Sequence, residues 1–267
     1  MATFLHITDL HIVAEAPQAT AKLDRLIALA QSADPAPDFI IASGDLTDHG
    51  DKASYSILAE RMAELRIPVF YALGNHDKRS GFRAAFSGYE GDLDTPLDHD
   101  AVCAGYHIVV LDSSLPGKTS GGFEDGQLDA LHAALARHTD LPKIMVLHHP
   151  PATQDETQRN WAVLNATDSA RLGQALAGHD VLALLCGHIH TNRVMIWNGL
   201  PVISNVGLDS VIDPAHDLGP DGGLHITEGS GFGIGRITSR EIGMAFADLA
   251  PGPTIKILPE GALRHLK

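Results

Sequence analysis

Side chains that bind divalent metal ions follow the strongly apolar stretches of this sequence. Five short stretches have the length and composition of buried strands, and each is followed within a few positions by aspartate, asparagine or histidine. These residues are Asp9 and His11, Asp45, Asn75 and His76, His148, and His188 and His190. Because ligands of open α/β sheets bind beyond the carboxyl ends of the strands, we expect these side chains to meet in one site.

The types of these side chains indicate which ions the site would hold. Imidazole suits zinc, iron and nickel, and carboxylate suits manganese and magnesium. No thiolate joins the set, since Cys186 lies just before the Gly-His turn. Even without His76, the candidate ligands outnumber the four that a tetrahedral site needs. A carboxylate can bridge two ions about 3.5–4 Å apart. The sequence therefore predicts two divalent ions, with manganese, iron, zinc and cobalt as candidates.

The motifs are positioned by strands that alternate with helices. Apolar runs predict strands over residues 3–8, 39–43, 69–73, 106–111, 143–147 and 181–186. Helical periodicity predicts helices over residues 20–33, 51–66, 127–138 and 168–177. A hairpin is expected around Asn198-Gly199, from strands over 193–197 and 201–204, with further short strands at 232–238 and 254–258. The fold class is therefore α/β, with either one mixed sheet or two packed sheets.

We expect residues 1–267 to form a single domain. Its metal motifs lie in residues 1–190, and an antiparallel, β-rich part occupies about 191–267. Residues 150–167 lack clear periodicity, and residues 219–235 are rich in glycine. Each stretch fits an ordinary surface loop as well as a loop that covers the site, so the sequence leaves that choice open.

The composition limits the classes of partner. A net charge of −14 opposes binding to nucleic-acid polymers, which attract basic surfaces. No apolar run approaches the roughly 18–20 residues of a membrane span, and the two cysteines, outside any CxxC pattern, fit a reducing compartment. We therefore expect a cytoplasmic protein with a small substrate and no membrane partner. Its oligomeric state, a homo-oligomer included, is left open.

The order of the motifs resembles that of the calcineurin-like metallophosphoesterase superfamily. That pattern runs Asp-x-His, Gly-Asp, Gly-Asn-His-Asp/Glu, His and Gly-His-x-His. The matching residues are Asp9-Leu10-His11, Gly44-Asp45, Gly74-Asn75-His76-Asp77, His148 and Gly187-His188-Ile189-His190. The resemblance implies a four-layer αββα sandwich of two mixed β-sheets flanked by helices.

The resemblance also implies a role for each residue. Asp9, His11 and His190 would hold the first metal ion, Asn75, His148 and His188 the second, and Asp45 would bridge the two. His149 adjoins His148, and we prefer His148 because it directly ends its strand.

Two further residues would be catalytic. His76 would donate a proton to the leaving group, and Asp48 would orient His76. A turn-forming role is the alternative for Asp48.

The loops narrow the class of phosphate ester. Within the superfamily, residues 42–48, 72–77, 148–151 and 185–190 most resemble bacterial class III cyclic-nucleotide phosphodiesterases and the related glycerophosphodiesterases. His49 stands where protein Ser/Thr phosphatases have arginine, which argues against that class. The resemblance implies that a metal-bridging hydroxide hydrolyses a small phosphodiester, such as 3',5'-cAMP or a glycerophosphodiester.

Other functions stay open at this point. A phosphomonoesterase or a nuclease of the same superfamily is the alternative, and a non-catalytic metal-binding scaffold is a remote one. Substrate contacts are expected within residues 152–165, where the candidates are Arg159, Asn160 and Trp161.

Overall fold

The computed structural model of the chain describes residues 1–86, 92–153, 162–214, 224–250 and 253. The helices in these ranges are α1 (Pro17–Ser32), α2 (Lys52–Ala63), α3 (Arg79–Ala85), α4 (Gln127–Leu135) and α5 (Ala166–Leu176). The first seven strands are β1 (Ala2–Ile7), β2 (Phe39–Ser43), β3 (Val69–Ala72), β4 (His99–Cys103), β5 (Tyr106–Val110), β6 (Lys143–Val146) and β7 (Val181–Cys186). The remaining strands are β8 (Arg193–Trp197), β9 (Leu200–Ser204), β10 (Ser210–Ile212), β11 (Ile226–Glu228), β12 (Gly231–Thr238) and β13 (Glu241–Asp248).

Two mixed sheets contain most of the strands. The first has the order β13-β12-β1-β2-β3. Its strands β1, β2 and β3 are parallel, β12 is antiparallel to β1, and β13 is antiparallel to β12. The second, in the order β4-β5-β6-β7-β9-β8, has four parallel strands with an antiparallel strand at each edge. β10 and β11 form a separate antiparallel ribbon. Because β1, β2 and β3 run parallel, and β6 and β7 do too, the expected ligands follow strand ends at one edge of each sheet.

Alternating residues of the strands face different layers. On β2, Ile40 and Ala42 belong to an apolar cluster with residues of α1 and α2, whereas Phe39 and Ile41 pack between the two sheets. Residues of α4 and α5 cover the outer face of the second sheet. The layers follow the order helix, sheet, sheet, helix, which confirms the expected αββα sandwich. Burial on both faces explains why these strands appear in the sequence as continuous apolar runs.

Local signals set the ends of the helices. Asp51 caps α2 and Asn165 caps α5, each by accepting a backbone N–H at 2.9 Å. α2 and α4 both end before their expected ends at residues 66 and 138. Arg66 and His138 have left-handed φ angles of 52° and 50°, and a residue in that conformation cannot continue a right-handed helix.

Five elements were not anticipated from the sequence: α3, β4, β10, β11 and β13. α3 has only seven residues and contains Gly81, and β13 has mostly exposed or half-buried residues, so it lacks the apolar run that marks a core strand. The strand expected at 254–258 lies outside the described residues. Among the described residues, no helix combines the length and apolar character needed to cross a membrane.

Candidate metal centre

The expected ligands lie in the turns that follow five strands. The strands and their ligands are β1 with Asp9 and His11, β2 with Asp45, β3 with Asn75, β6 with His148, and β7 with His188 and His190. Of the ten described non-glycine residues with positive φ, five belong to this set: Asp9, His11, Asp45, His188 and His190. A left-handed φ is uncommon in a residue with a side chain, and such residues concentrate at functional sites.

Asp9, His11 and His190 form one compact group. Nε2 of His190 lies 3.4 Å from Oδ1 of Asp9 and 3.3 Å from Nε2 of His11. The fully buried carboxylate of Asp9 also accepts the backbone N–H of His188 at 3.1 Å. The ligand atoms of the three residues all lie within 4.8 Å of one another, which is close enough to bind one ion.

Asp45 lies between this group and a second one. Its Oδ2 atom is 3.8 Å from Nε2 of His11 and 3.3 Å from Nε2 of His148. The rings of His148 and His188 pack with their centroids 5.0 Å apart. The structure therefore brings Asp45 close to a member of each expected ligand group.

Buried polar atoms at this centre fit divalent metal ions. Nε2 of His148 and Oδ1 of Asn75 are buried with no hydrogen-bond partner among the described residues, which is costly unless the atoms bind something. The outer ring nitrogens are held in place, because Nδ1 of His148 contacts the carbonyl of Ser43 at 2.8 Å and Nδ1 of His190 contacts that of Ser210 at 3.0 Å. An outer nitrogen that donates to a carbonyl is typical of metal-binding histidines.

The carboxylates give the centre a strongly anionic field. Burial alone would lower the pKa of His148, but the charges of Asp45 and Asp9 raise it to about 9. The pKa of His11 is also raised to about 9, because a hydrogen bond to Asp48 and the same two charges outweigh burial. Burial opposes ionisation of Asp45 as well, yet the neighbouring imidazoles lower its pKa. A site that favours protonated imidazole so strongly favours metal cations for the same electrostatic reason.

His149 differs from its neighbour His148 in its contacts. Its Nδ1 atom lies 2.9 Å from the hydroxyl of Ser113, and its Nε2 atom lies 3.1 Å from the carbonyl of Thr119, to which it can only donate. Burial and the charges of His188 and His148 hold the pKa of His149 well below its ordinary value. His149 therefore joins two loops in its neutral form, and both of its ring nitrogens are occupied.

His76 and Asp48 are in contact, as the sequence led us to expect. Nδ1 of His76 lies 3.1 Å from both Oδ1 and the backbone carbonyl of Asp48. The same Oδ1 atom lies 3.1 Å from Nδ1 of His11, a contact that the sequence did not indicate. The His76 side chain is 41% exposed and lines a cavity of about 560 Å³ together with His11, Asp48 and His190.

Asp77 shapes the loop that follows β3. Its carboxylate accepts the backbone N–H groups of Leu46, Thr47 and Gly74 at 3.0, 3.1 and 2.9 Å, and it thereby ties this loop to the one after β2. A Cβ atom at Gly74 would collide with Oδ1 of Asp45. The close approach of the two loops therefore requires glycine at this position.

Some residues near the centre gave no signal in the sequence. Ser43, Ser113 and Ser210 contact imidazoles through a carbonyl or a hydroxyl group. Ser113 and Ser210 lie outside the motifs, and Ser43 lies within residues 42–48 but had no expected role. The suggested substrate contacts cannot be placed, because these residues lie outside the described ranges: Arg159, Asn160 and Trp161.

Known proteins share this sequence pattern. The profile of the calcineurin-like phosphoesterase family matches residues 2–192. A probable cyclic nucleotide phosphodiesterase of Rhodococcus erythropolis is 36% identical over 208 residues, which cover 74% of this chain and 68% of that protein. A cAMP/cGMP dual specificity phosphodiesterase of Mycobacterium tuberculosis is 34% identical over 209 residues, which cover 74% of this chain but only 64% of the mycobacterial protein.

More distant similarities extend further along the chain. A probable glycerophosphodiester phosphodiesterase of Arcobacter nitrofigilis is 28% identical over 81% of this chain and 80% of that protein. The purple acid phosphatase of yellow lupin has a TM-score of 0.65 over 93% of this chain and 51% of its own, and at 13% identity it shows the shared fold alone. The comparisons confirm both the resemblance and the expected class of enzyme, a hydrolase of phosphodiesters. The chain therefore belongs to the calcineurin-like phosphoesterase family, whose members use a dinuclear metal centre.

Proposed function

We propose that the protein is a dinuclear-metal-dependent phosphodiesterase that hydrolyses a small phosphodiester. The observation that most supports this is that carboxylate oxygens of Asp9 and Asp45 lie 4.0 and 3.3 Å from the buried Nε2 atom of His148, which has no hydrogen-bond partner among the described residues. In this proposal each ion has three ligands of its own and shares Asp45. The first set is Asp9, His11 and His190, and the second is Asn75, His148 and His188.

The chemistry of these donors limits the ions. Imidazole, carboxylate and amide groups without a thiolate suit manganese, iron, zinc or cobalt, and Cys186 is buried outside the described groups of ligand atoms. When bound, two such ions neutralise the charge of the phosphate and lower the pKa of a water molecule.

His76 would supply the proton that the leaving alkoxide needs. Asp48 holds Nδ1 of the ring at 3.1 Å, so Nε2 is the atom that would donate. Because His76 lines the same cavity as His11 and His190, the proton would be delivered beside the metal centre. General acid catalysis of this kind contributes roughly 10²–10⁴-fold to the rate.

The substrate and the location of the protein are also proposals. Cyclic nucleotides are the first candidate substrate and glycerophosphodiesters the second, because the relatives are named as phosphodiesterases of these two kinds of diester. Free Cys103 and Cys186 support a reducing, cytoplasmic location.

A comparison of leaving groups tests the proposal. The manganese-loaded protein and its His76→Ala variant would be assayed with 3',5'-cAMP, whose leaving group is an alkoxide, and with bis(p-nitrophenyl) phosphate, whose leaving group needs no proton. We expect His76→Ala to lower kcat for cAMP by about 10²–10⁴-fold and to affect the nitrophenyl ester much less.

The control is His132→Ala on α4, an exposed histidine. Equal losses with both esters would refute the role of His76, and a wild-type protein inert towards every diester would refute the proposed function.

A further inference from the structure

The ribbon of β10 and β11 is attached directly to the proposed metal-ligand loop after β7. The backbone N–H of Ile212 donates to the carbonyl of His190 at 3.0 Å, and the Thr191 hydroxyl donates to the carbonyl of Ile212 at 3.1 Å. Nδ1 of His190 contacts the carbonyl of Ser210 at 3.0 Å. Ile212 pairs with Ile226 across the ribbon. The position of Ile226 is therefore fixed relative to the metal centre.

Ile226 is an exposed aliphatic side chain at the mouth of the catalytic cavity. It is 67% exposed and lines the cavity of about 560 Å³ that also contains His11 and His76. Val13 and Ala16 line the same cavity. A single exposed aliphatic residue on a protein surface is ordinary, but this one faces the space that a substrate must enter.

The cavity thus has a polar part and an apolar part. The polar part consists of imidazoles and carboxylates together with Gln18 and Ser210. The apolar part consists of Ile226, Val13 and Ala16, which we call the apolar lip. Ligand cavities commonly combine apolar walls with a few polar groups that fix orientation. Asp48 and Asp209 line the cavity as well, and Lys22 pairs with the carboxylate of Asp209 at 3.9 Å.

We infer that the apolar lip binds the organic substituent of the diester while the phosphate lies at the metal centre. A purine nucleoside offers a flat apolar face to Ile226, whereas glycerol carries a hydroxyl on each free carbon and offers little apolar surface. The lip therefore selects a nucleoside phosphodiester over a glycerophosphodiester. This inference rests on the proposed function and narrows its substrate class.

The test is the Ile226→Ser variant, which removes the apolar contact from an exposed position. With 3',5'-cAMP and manganese-loaded protein, we expect KM to rise about tenfold with little change in kcat, since one apolar contact contributes a factor of this order. With glycerophosphoglycerol, KM should change by less than about twofold. Binding of the product 5'-AMP, measured by isothermal titration calorimetry, should weaken by the same factor as the KM for cAMP rises.

Ile196→Ser provides a matched control, because Ile196 on β8 is 70% exposed and is not among the residues that line the cavity. It should leave both substrates unaffected. If Ile226→Ser changes cAMP and glycerophosphoglycerol equally, or changes neither, the apolar lip does not select the substrate, although the proposed function stands. If the wild type hydrolyses no diester at all, the proposed function itself fails.

Discussion

At the scale of single residues, the contacts of the ring nitrogens distinguish His148 from its neighbour His149. The sequence indicated which residue types follow each strand, and that was enough to name the candidates. It could not show that Nε2 of His148 is buried without a hydrogen-bond partner among the described residues, while both ring nitrogens of His149 have one. That difference depends on Ser113 and Thr119, which the fold brings next to His149 from more than 25 residues away.

This difference predicts opposite behaviour for two adjacent variants. His148→Phe should reduce the metal content below two ions per chain, because it removes a proposed ligand. His149→Phe should retain both ions but lower the free energy of unfolding by about 1–3 kcal/mol, since it removes the ring contacts to the Ser113 hydroxyl and to the Thr119 carbonyl. Plasma mass spectrometry and urea unfolding would measure the two effects. Loss of metal from His149→Phe with an intact His148→Phe centre would reverse the assignment.

Asp98 predicts a pH-dependent contribution to stability. Burial raises the pKa of its carboxyl to about 6, although Asp112 and Gln127 donate hydrogen bonds to it. The folded protein thus retains a proton that the unfolded chain loses near its ordinary pKa of 3.8. The contribution of this proton to the free energy of unfolding is fully present below pH 3.8 and is lost as the pH rises through about 6.

A variant that cannot ionise isolates the effect. Between about pH 4.5 and about pH 7.5, the free energy of unfolding of the wild type should fall by roughly 2 kcal/mol relative to that of Asp98→Asn. Urea unfolding at a series of pH values would measure the difference. A difference that stays constant across the range would show that Asp98 ionises alike in the folded and unfolded states.

At the scale of helices and strands, the buried elements were predictable and the exposed ones were not. β2 and β7 have the expected bounds, because strands buried on both faces appear as uninterrupted apolar runs. β13 and the ribbon of β10 and β11 are half exposed, so their residues carry no comparable pattern. The ribbon contributes Ser210 and Ile226 to the cavity, and the sequence therefore missed this side of the site.

Arg79, at the start of α3, predicts a large effect on stability. Its guanidinium donates to the buried carboxylate of Asp112 at 2.8 Å and to Glu124 at 2.7 Å, joining α3 to the loops that follow β5. Arg79→Met would leave Asp112 buried without its counter-ion, and we expect a loss of about 3–5 kcal/mol.

The control for this prediction is Arg240→Met, since Arg240 is 75% exposed and pairs with Asp180 at the surface. That change should cost less than about 1 kcal/mol. Thermal and urea unfolding of both variants would provide the comparison, and similar losses for the two would contradict the role assigned to Arg79.

At the scale of the whole molecule, two sheets bring together residues that are far apart in the chain. His11 and His190 are 179 positions apart, yet their Nε2 atoms are separated by 3.3 Å. The parallel order of the strands made a shared site predictable, whereas the distances depend on how the two sheets pack. Bound cations would also resolve the conflict between a net charge of −14 and an anionic substrate.

X-ray diffraction from crystals of the manganese-loaded protein, collected with anomalous scattering, tests this account most directly. We expect two anomalous peaks about 3.5–4 Å apart, on either side of the Asp45 carboxylate. One should be held by Asp9, His11 and His190, and the other by Asn75, His148 and His188. A centre without peaks, or peaks bound by other residues, would contradict the proposal that these strand ends enclose a pair of metal ions.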